Sequence, residues 1–132
     1  MSETAVLDSW AWWEILHDTP TGRQLSLRYV EGSGVKVLTV DLALAEVACK
    51  LERAGSHAAI APCLRAIEEA GEVLPITREI AGASAPLLVA LRRVDAHTSL
   101  ADAVMLAAAR VRGAVLVSDD PCYRGEDDVR SR

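Results

Sequence analysis

The chain has 132 residues, 51% apolar and 25% charged, with a net charge of −5, which is enough for one domain with its own core. That charge argues against a non-specific grip on nucleic acid, which Lys and Arg drive; it leaves a nucleic-acid substrate open, because cations held by gathered acids reverse the local field. No apolar run is long enough to span a bilayer, no basic start with an apolar segment marks a signal peptide, and Cys49, Cys63 and Cys122 show neither metal-ligand spacing nor a disulfide framework, so a reducing, cytoplasmic setting is expected.

"TAVLD" (4–8) reads as a strand ending in an acid, and "SWAWWEILHD" (9–18) as a helix with Trp12, Ile15 and Leu16 on one face, closed by Pro20. Trp10, Trp13 and His17 lie on another flank of that helix, where aromatics mark either a contact surface for a partner or partial burial under residues 20–31. Those residues alternate well enough to be a strand turning through "EGSG" (31–34) into "VKVLTV" (35–40), yet a helix is favoured, because helices separate the strands elsewhere. "DLALAEVACKLERAG" (41–55) is a helix capped by Asp41 and stopped by Gly55, with Leu44, Val47, Ala48 and Leu51 as its buried stripe. "SHAAIAPCLRAIEEAG" (56–71) repeats the design, with Pro62 imposing a late start or a kink. "EVLPI" (72–76) is an edge strand, since Pro75 removes a ladder hydrogen bond. Residues 78–94 are helical, with Gly82 and Pro86 expected to split them. A helix over 99–112, Gly113 and the apolar strand "AVLVS" (114–118) follow. An apolar run without alternation marks a strand buried on both faces of a parallel sheet. The tail 125–132 is polar and expected to fray. Alternating strands and helices give an α/β domain with a central, mainly parallel sheet of four or five strands flanked by helices.

In such sheets the functional crevice lies beyond the carboxyl ends of the strands. Asp8 ends the first strand, Asp119 and Asp120 end the last, and Asp102 joins them if its helix begins near the strand tips. Glu46, at the border of a buried stripe, is a fourth candidate. Each acid has a plainer explanation when taken alone. Asp8 caps the next helix, Asp102 completes a capping box with Ser99, and Glu46 pairs with Lys50 four residues on. Taken together they would repel by several kcal/mol at an effective dielectric near 20 and raise one another's pKa unless a cation is present. Oxygen donors without His or Cys favour Mg²⁺ or Mn²⁺, a pairing typical of phosphoryl-transfer sites. Cys122 has no nearby His in sequence to make it a nucleophile and reads as a bystander.

"VLDSWAWWEIL", "LALAEVACKL" and "SLADAVMLAAARVRGAVLVSDDPCY", in that order, resemble the PIN-domain nucleases and, within them, the short VapC-type toxins of toxin–antitoxin pairs. The resemblance implies a PIN-like three-layer sandwich over residues 1–124, with the first and last main strands adjacent and the third at an edge. "CYRGEDDV" is a poor strand, so the fifth strand often found there is expected to be absent or very short. It also implies acidic metal-site roles for Asp8, Glu46, Asp102 and Asp120, with Ser9 and Ser118 in support. Asp119 either assists or faces solvent, and Asp102 or Asp120 would orient the attacking water. The implied activity is Mg²⁺- or Mn²⁺-dependent hydrolysis of RNA phosphodiesters by a homodimer that binds a small antitoxin, for which Trp10 and Trp13 are candidate contacts. The alternatives are a PIN-fold binding or assembly module without catalysis, and a PIN nuclease with an RNA-processing role outside toxin–antitoxin systems. A flavodoxin-like or nucleotide-binding domain is disfavoured, since "DSWAWW" stands where a Gly-rich phosphate loop would follow the first strand.

Overall fold

A computed structural model describes residues 3–32 and 34–132. Five parallel strands lie in the order β3-β2-β1-β4-β5: β1 (Glu3–Leu7), β2 (Val35–Val40), β3 (Glu72–Leu74), β4 (Val115–Val117) and β5 (Val129–Arg130). Helices α1 (Ser9–Leu16), α2 (Pro20–Leu25), α3 (Asp41–Arg53) and α4 (Ile60–Ala70) cover one face; α5 (Arg78–Val94) and α6 (Leu100–Val111) cover the other. Side chains alternate across each strand, so Ala5, Leu7, Val37 and Val117 join Trp12, Leu25, Tyr29, Val47, Leu51 and Ile67 in one core. Val6, Leu38, Val40 and Leu116 join Ile80, Leu91 and the buried residues of α6 in the other. The apolar run of β4 thus feeds both cores, as its lack of alternation implies. Among the described residues no helix is long and apolar enough to cross a membrane.

Most expected elements form, and the departures have local causes. Residues 20–30 are helical, α2 continuing as a π-helical turn over Ser26–Val30; the alternative turn through "EGSG" includes Ser33, which lies outside the described residues. Gly22 sits where α2 presses on α1: a Cβ there would stand 1.9 Å from the Glu14 carbonyl oxygen. The α3 cap is Val40, with Asp41 the acid of its first turn, and Ala43 replaces Leu44 and Ala48 among its fully buried residues. Pro62 falls in the first turn of α4, after a short 3-10 turn at His57–Ala59, where its missing N–H costs nothing. Residues 78–94 are one helix, unbroken at Gly82 and Pro86. The carbonyl that Pro86 leaves without a partner is that of Gly82, four residues back. Burial of Ile80 and Ser84 before the proline and of Leu91 after it, on one continuous helix face, outweighs that loss. Finally, the polar tail does not simply fray. Val129 and Arg130 pair with Leu116 and Val117, and Arg110 fixes the approach by bonding Glu126 and Asp128.

β1 and β4 are neighbours, Leu7 opposite Val117. The chain leaves β1 toward β2 on one side, and β4 lies on the other, so the sheet's topological switch point falls between their carboxyl ends. Helix α6 runs back against the sheet into β4, so its first turn lies at that same edge.

Candidate functional site

Asp8 follows β1 directly and its carboxylate accepts from the Ala11 N–H at 2.9 Å, capping α1. The indole of Trp12 donates to Thr39 Oγ1 at 3.0 Å and ties this helix to β2. Asp8 is 8% exposed. Burial pushes its carboxyl up to about 7; bonds from the Ser118 hydroxyl and Ala11 oppose the shift, and the charges of Glu46 and Asp119 add to it. Ser118, buried after β4, accepts from the Asp120 N–H at 3.2 Å, and its hydroxyl faces Asp8 closely enough to lower that carboxyl's pKa. One side chain therefore sits between the ends of two adjacent strands.

Glu46 projects from the middle of α3. Burial raises its pKa, the nearby Ser9 hydroxyl lowers it, the charge of Asp102 raises it and that of Lys50 lowers it. Asp102 sits in the first turn of α6 within a complete capping box: Ser99 N–H donates to Asp102 Oδ2 at 2.9 Å, and Asp102 N–H to Ser99 Oγ at 3.2 Å. The buried Tyr123 hydroxyl donates to the Asp102 carbonyl at 2.8 Å. Asp120 caps the short 3-10 turn Pro121–Tyr123 by accepting from the Cys122 N–H at 2.9 Å.

Asp119 shares its surroundings with Glu14 and Lys50, and burial together with the Asp120 and Glu14 charges raises its pKa. Carboxylate oxygens of Asp102 and Asp120 and the sulfur of Cys122 lie within 4.8 Å of one another. Glu46 links Asp8 and Asp102 electrostatically, since its charge acts on Asp8 and it feels Asp102 in turn. All the acids singled out from sequence thus gather around the switch point, on a face set by four separate chain segments. A cavity of about 320 Å³ opens beside Ser9, Glu46, Lys50 and Arg53, and one of about 260 Å³ beside Ser118, Asp119, Asp120 and Arg124.

Sequence reasoning missed three members of this region. Glu14 lies one helical turn beyond Trp10 and gave no signal. Tyr123 acts through a backbone carbonyl 21 residues away, which no local pattern encodes. Cys122, read as a bystander, is buried against the acids, where burial and the neighbouring Asp102 and Asp120 hold the thiol up. Trp10 and Trp13 are half-buried rather than open. Trp13 stacks on His17 with ring centroids 4.0 Å apart, and the Lys50 ammonium lies 4.8 Å from its ring centre.

The donor set suits a hard divalent cation. Several carboxylates converge, three of them with raised pKa, so the acids disfavour their own charged state until a cation compensates. Fold and site define an α/β protein with an acidic centre at the switch point. The sequence profile of the PIN domain matches residues 5–124, and the chain belongs to that family. Solved structures agree in fold. A Mycobacterium tuberculosis VapC20, a Sarcin-Ricin loop cleaving toxin, has a TM-score of 0.70 at 21% identity over 96% of this chain and 98% of that one. The DNA-bound VapBC of Salmonella typhimurium gives 0.73 at 16% over 98% and 96%. VapBC2 from Rickettsia felis, bound to a promoter DNA fragment, gives 0.74 at 11% over 96% and 95%. No curated protein sequence matches the chain.

Proposed function

We propose that this PIN-domain protein is a divalent-metal-dependent endoribonuclease, using Mg²⁺ or Mn²⁺, and the toxin of a type II toxin–antitoxin pair. The carrying observation is the gathering of Asp8, Glu46, Asp102, Asp119 and Asp120 at the switch point, with burial raising Asp8 to about 7. Asp8, Glu46, Asp102 and Asp120 would hold the cation, and Asp119 lies beside Glu14 and Lys50 at the rim. A bound divalent cation supplies charge compensation and makes water acidic enough to serve as a nucleophile near neutral pH. Ser118 orients Asp8, Ser9 orients Glu46, and Tyr123 fixes the backbone at Asp102. Lys50, Arg53 and Arg124 in the flanking cavities would meet the phosphates on either side of the scissile bond. The structural relatives, a Sarcin-Ricin loop cleaving toxin and toxin–antitoxin complexes, support RNA as substrate and a small antitoxin as partner. A homodimer acting in the cytoplasm, with the Trp10 and Trp13 flank of α1 contacting the antitoxin, completes the reading. Tryptophan fluorescence on antitoxin titration, unchanged and matched by normal binding of Trp10→Ala, would refute that contact.

The deciding experiment incubates the purified chain with a short RNA in Mn²⁺, Mg²⁺ or chelator. Cleavage should require the cation and fall at least about 100-fold in Asp102→Asn, a loss of the size general acid–base and metal-holding groups account for. Asn keeps an oxygen for the Ser99 N–H, so circular dichroism should stay native. A folded wild-type chain that leaves RNA intact in either metal would reduce the protein to a PIN-fold binding module.

A further inference from the structure

A cationic edge adjoins the acidic centre along β5. Arg28, Arg124 and Arg130 are all exposed there, and among the described residues none of them is paired with an Asp or Glu side chain. Glu126 and Asp128, acids of the same segment, bond Arg110 instead. Two of the three arginines are held by backbone carbonyls. Arg28 Nη1 donates to the Arg132 carbonyl at 3.0 Å, the Tyr29 hydroxyl donates to the same oxygen at 3.0 Å, and the Arg28 guanidinium lies 5.0 Å from the Tyr29 ring centre. Arg130 Nη1 donates to the carbonyls of Asp127 and Val129. A guanidinium carries more N–H groups than these bonds use, so each planar fork is oriented while donors stay open to solvent.

Their placement ties them to the centre. Arg130 stands opposite Val117, so its side chain leaves the sheet on the face of Val117 and Tyr29. Ser118 N–H donates to the Arg130 carbonyl at 2.9 Å, and Ser118 Oγ accepts from the Asp120 N–H at 3.2 Å. Arg124 and Ser131 line the cavity of about 260 Å³ that also holds Asp119 and Asp120. The arginines therefore start at the rim of the acids and continue along β5 to Arg28. Glu3, whose charge acts on Tyr29 together with those of Arg28 and Arg130, and the exposed Asp127 are the carboxylates that oppose them.

The geometry points to a track for the sugar–phosphate backbone of RNA, running from Arg124 at the acidic centre along β5 to Arg130 and Arg28. It rests on the nuclease reading for its substrate and adds the path of the strand outside the cavities. Guanidinium forks match phosphate oxygens two at a time, and such contacts position a strand without reading its sequence. An acidic protein segment would meet the same charges. Continuity with the cavity of Asp119 and Asp120 favours the strand to be cut, because a polyanion crossing an acidic centre needs cations beside it to hold it there.

The test titrates a short fluorescein-labelled single-stranded RNA with the full chain in chelator, where no metal-dependent cleavage occurs, and reads anisotropy over a range of salt. Arg28→Gln with Arg130→Gln keeps an N–H donor for the carbonyls and removes both charges. It should weaken binding at least about tenfold and flatten the log–log salt slope by about 1.4, two phosphate contacts at about 0.7 each. Lys36→Gln with Arg112→Gln makes the same change of charge at the amino ends of the strands and should leave affinity within about twofold, since salt screens so distant a change. Arg28→Lys with Arg130→Lys restores the point charges and should restore the slope. A lysine pair as flat as the glutamine pair would make the shape of the segment, not its charge, responsible, and the proposal falls. A glutamine pair that binds like wild type overturns it as well and leaves this edge to an acidic protein segment. Should the glutamine pair fail to fold, Arg130→Gln alone is read the same way, with half the change in slope. In Mn²⁺ the glutamine pair should raise KM for RNA cleavage about tenfold with kcat nearly unchanged, the mark of lost binding that ground state and transition state share. Wild-type cleavage with KM unmoved in the glutamine pair sinks this inference and spares the nuclease reading; binding that the pair weakens, with no cleavage by the wild type, does the reverse.

Discussion

At the amino ends of the strands, Glu72 lies between Lys36 at 3.3 Å and Arg112 at 3.1 Å, and Arg110 spans Glu126 at 2.6 Å and Asp128 at 2.8 Å. At the carboxyl ends, Asp8, Glu46 and Asp119 crowd together, with Lys50 sharing its charge between Glu46 and Asp119. The titration behaviour splits the same way. Partner cations pull Glu72 and Asp128 down, whereas burial pushes Asp8, Glu46 and Asp119 up. Acids at one edge are neutralised within the chain and stabilise it; acids at the other await a positive charge from outside. A cluster held up in pKa while the same chain pairs its acids elsewhere is what the proposed metal-site reading calls for.

The sharpest way to break this contrast is Asp8→Asn. Asp8 has its folded pKa raised from 3.8 to about 7. A raised carboxyl gives its full stability below the unfolded value and loses it as pH climbs toward the folded one. The metal-free wild type should therefore weaken between about pH 4 and pH 7, and Asp8→Asn, which still caps α1, should escape that loss. At pH 8 the metal-free variant should be more stable by roughly 2–4 kcal/mol in urea unfolding, the gap closing near pH 4. Saturating Mn²⁺ should raise the wild-type Tm and leave the variant's nearly unchanged. A metal-free variant no more stable than wild type at pH 8 would mean that Asp8 is not held under charge stress.

A smaller effect is expected for Tyr123→Phe, which removes the hydroxyl from the Asp102 carbonyl and should cost about 1 kcal/mol. If the site edge is positioned by this bond, metal affinity should fall with stability; a stability loss with unaltered affinity would make Tyr123 purely a core residue. At the opposite edge, Arg110→Ala should cost at most about 1 kcal/mol, because the pair is partly exposed and salt screens it. Asp128 is depressed, so its contribution is present above its unfolded value and disappears as pH falls through the folded one. The Arg110→Ala deficit should accordingly shrink toward pH 3 and in high salt, and cleavage should stay at the wild-type level. A change in cleavage would erase the division between the two edges.

The acids were legible in the sequence because strand ends and helix starts are local features. Asp8 after "AVL", Asp102 three residues past Ser99, and Asp120 after the apolar run each mark a boundary that backbone hydrogen bonding enforces. The structure shows that three of the four also cap a helix or turn. Capping and the proposed site role therefore do not compete, since each of these caps lies at the carboxyl-end edge of the sheet. Glu46 was weaker because nothing local distinguishes it from a partner of Lys50; its nearness to Ser9, 37 positions away, appears only when the chain is folded. The unbroken α5, and the pairing of Val129–Arg130 as the very short form of the fifth strand, are decided from outside any local window: proline, glycine and polar residues weaken an element locally, while burial and the Arg110 pairs hold it.

What the sequence determined alone was the alternation of strand and helix, the parallel sheet and the identity of the acids, all products of periodicity and capping that act over a few residues. What tertiary structure decided was convergence. It set Asp119 beside Glu14 and Lys50, brought Tyr123 under Asp102, and turned Cys122 from a bystander into a neighbour of two carboxylates. The reason is that distance between side chains from separate segments depends on how the sheet orders its strands, and strand order is fixed by packing on both faces rather than by any stretch of chain read by itself.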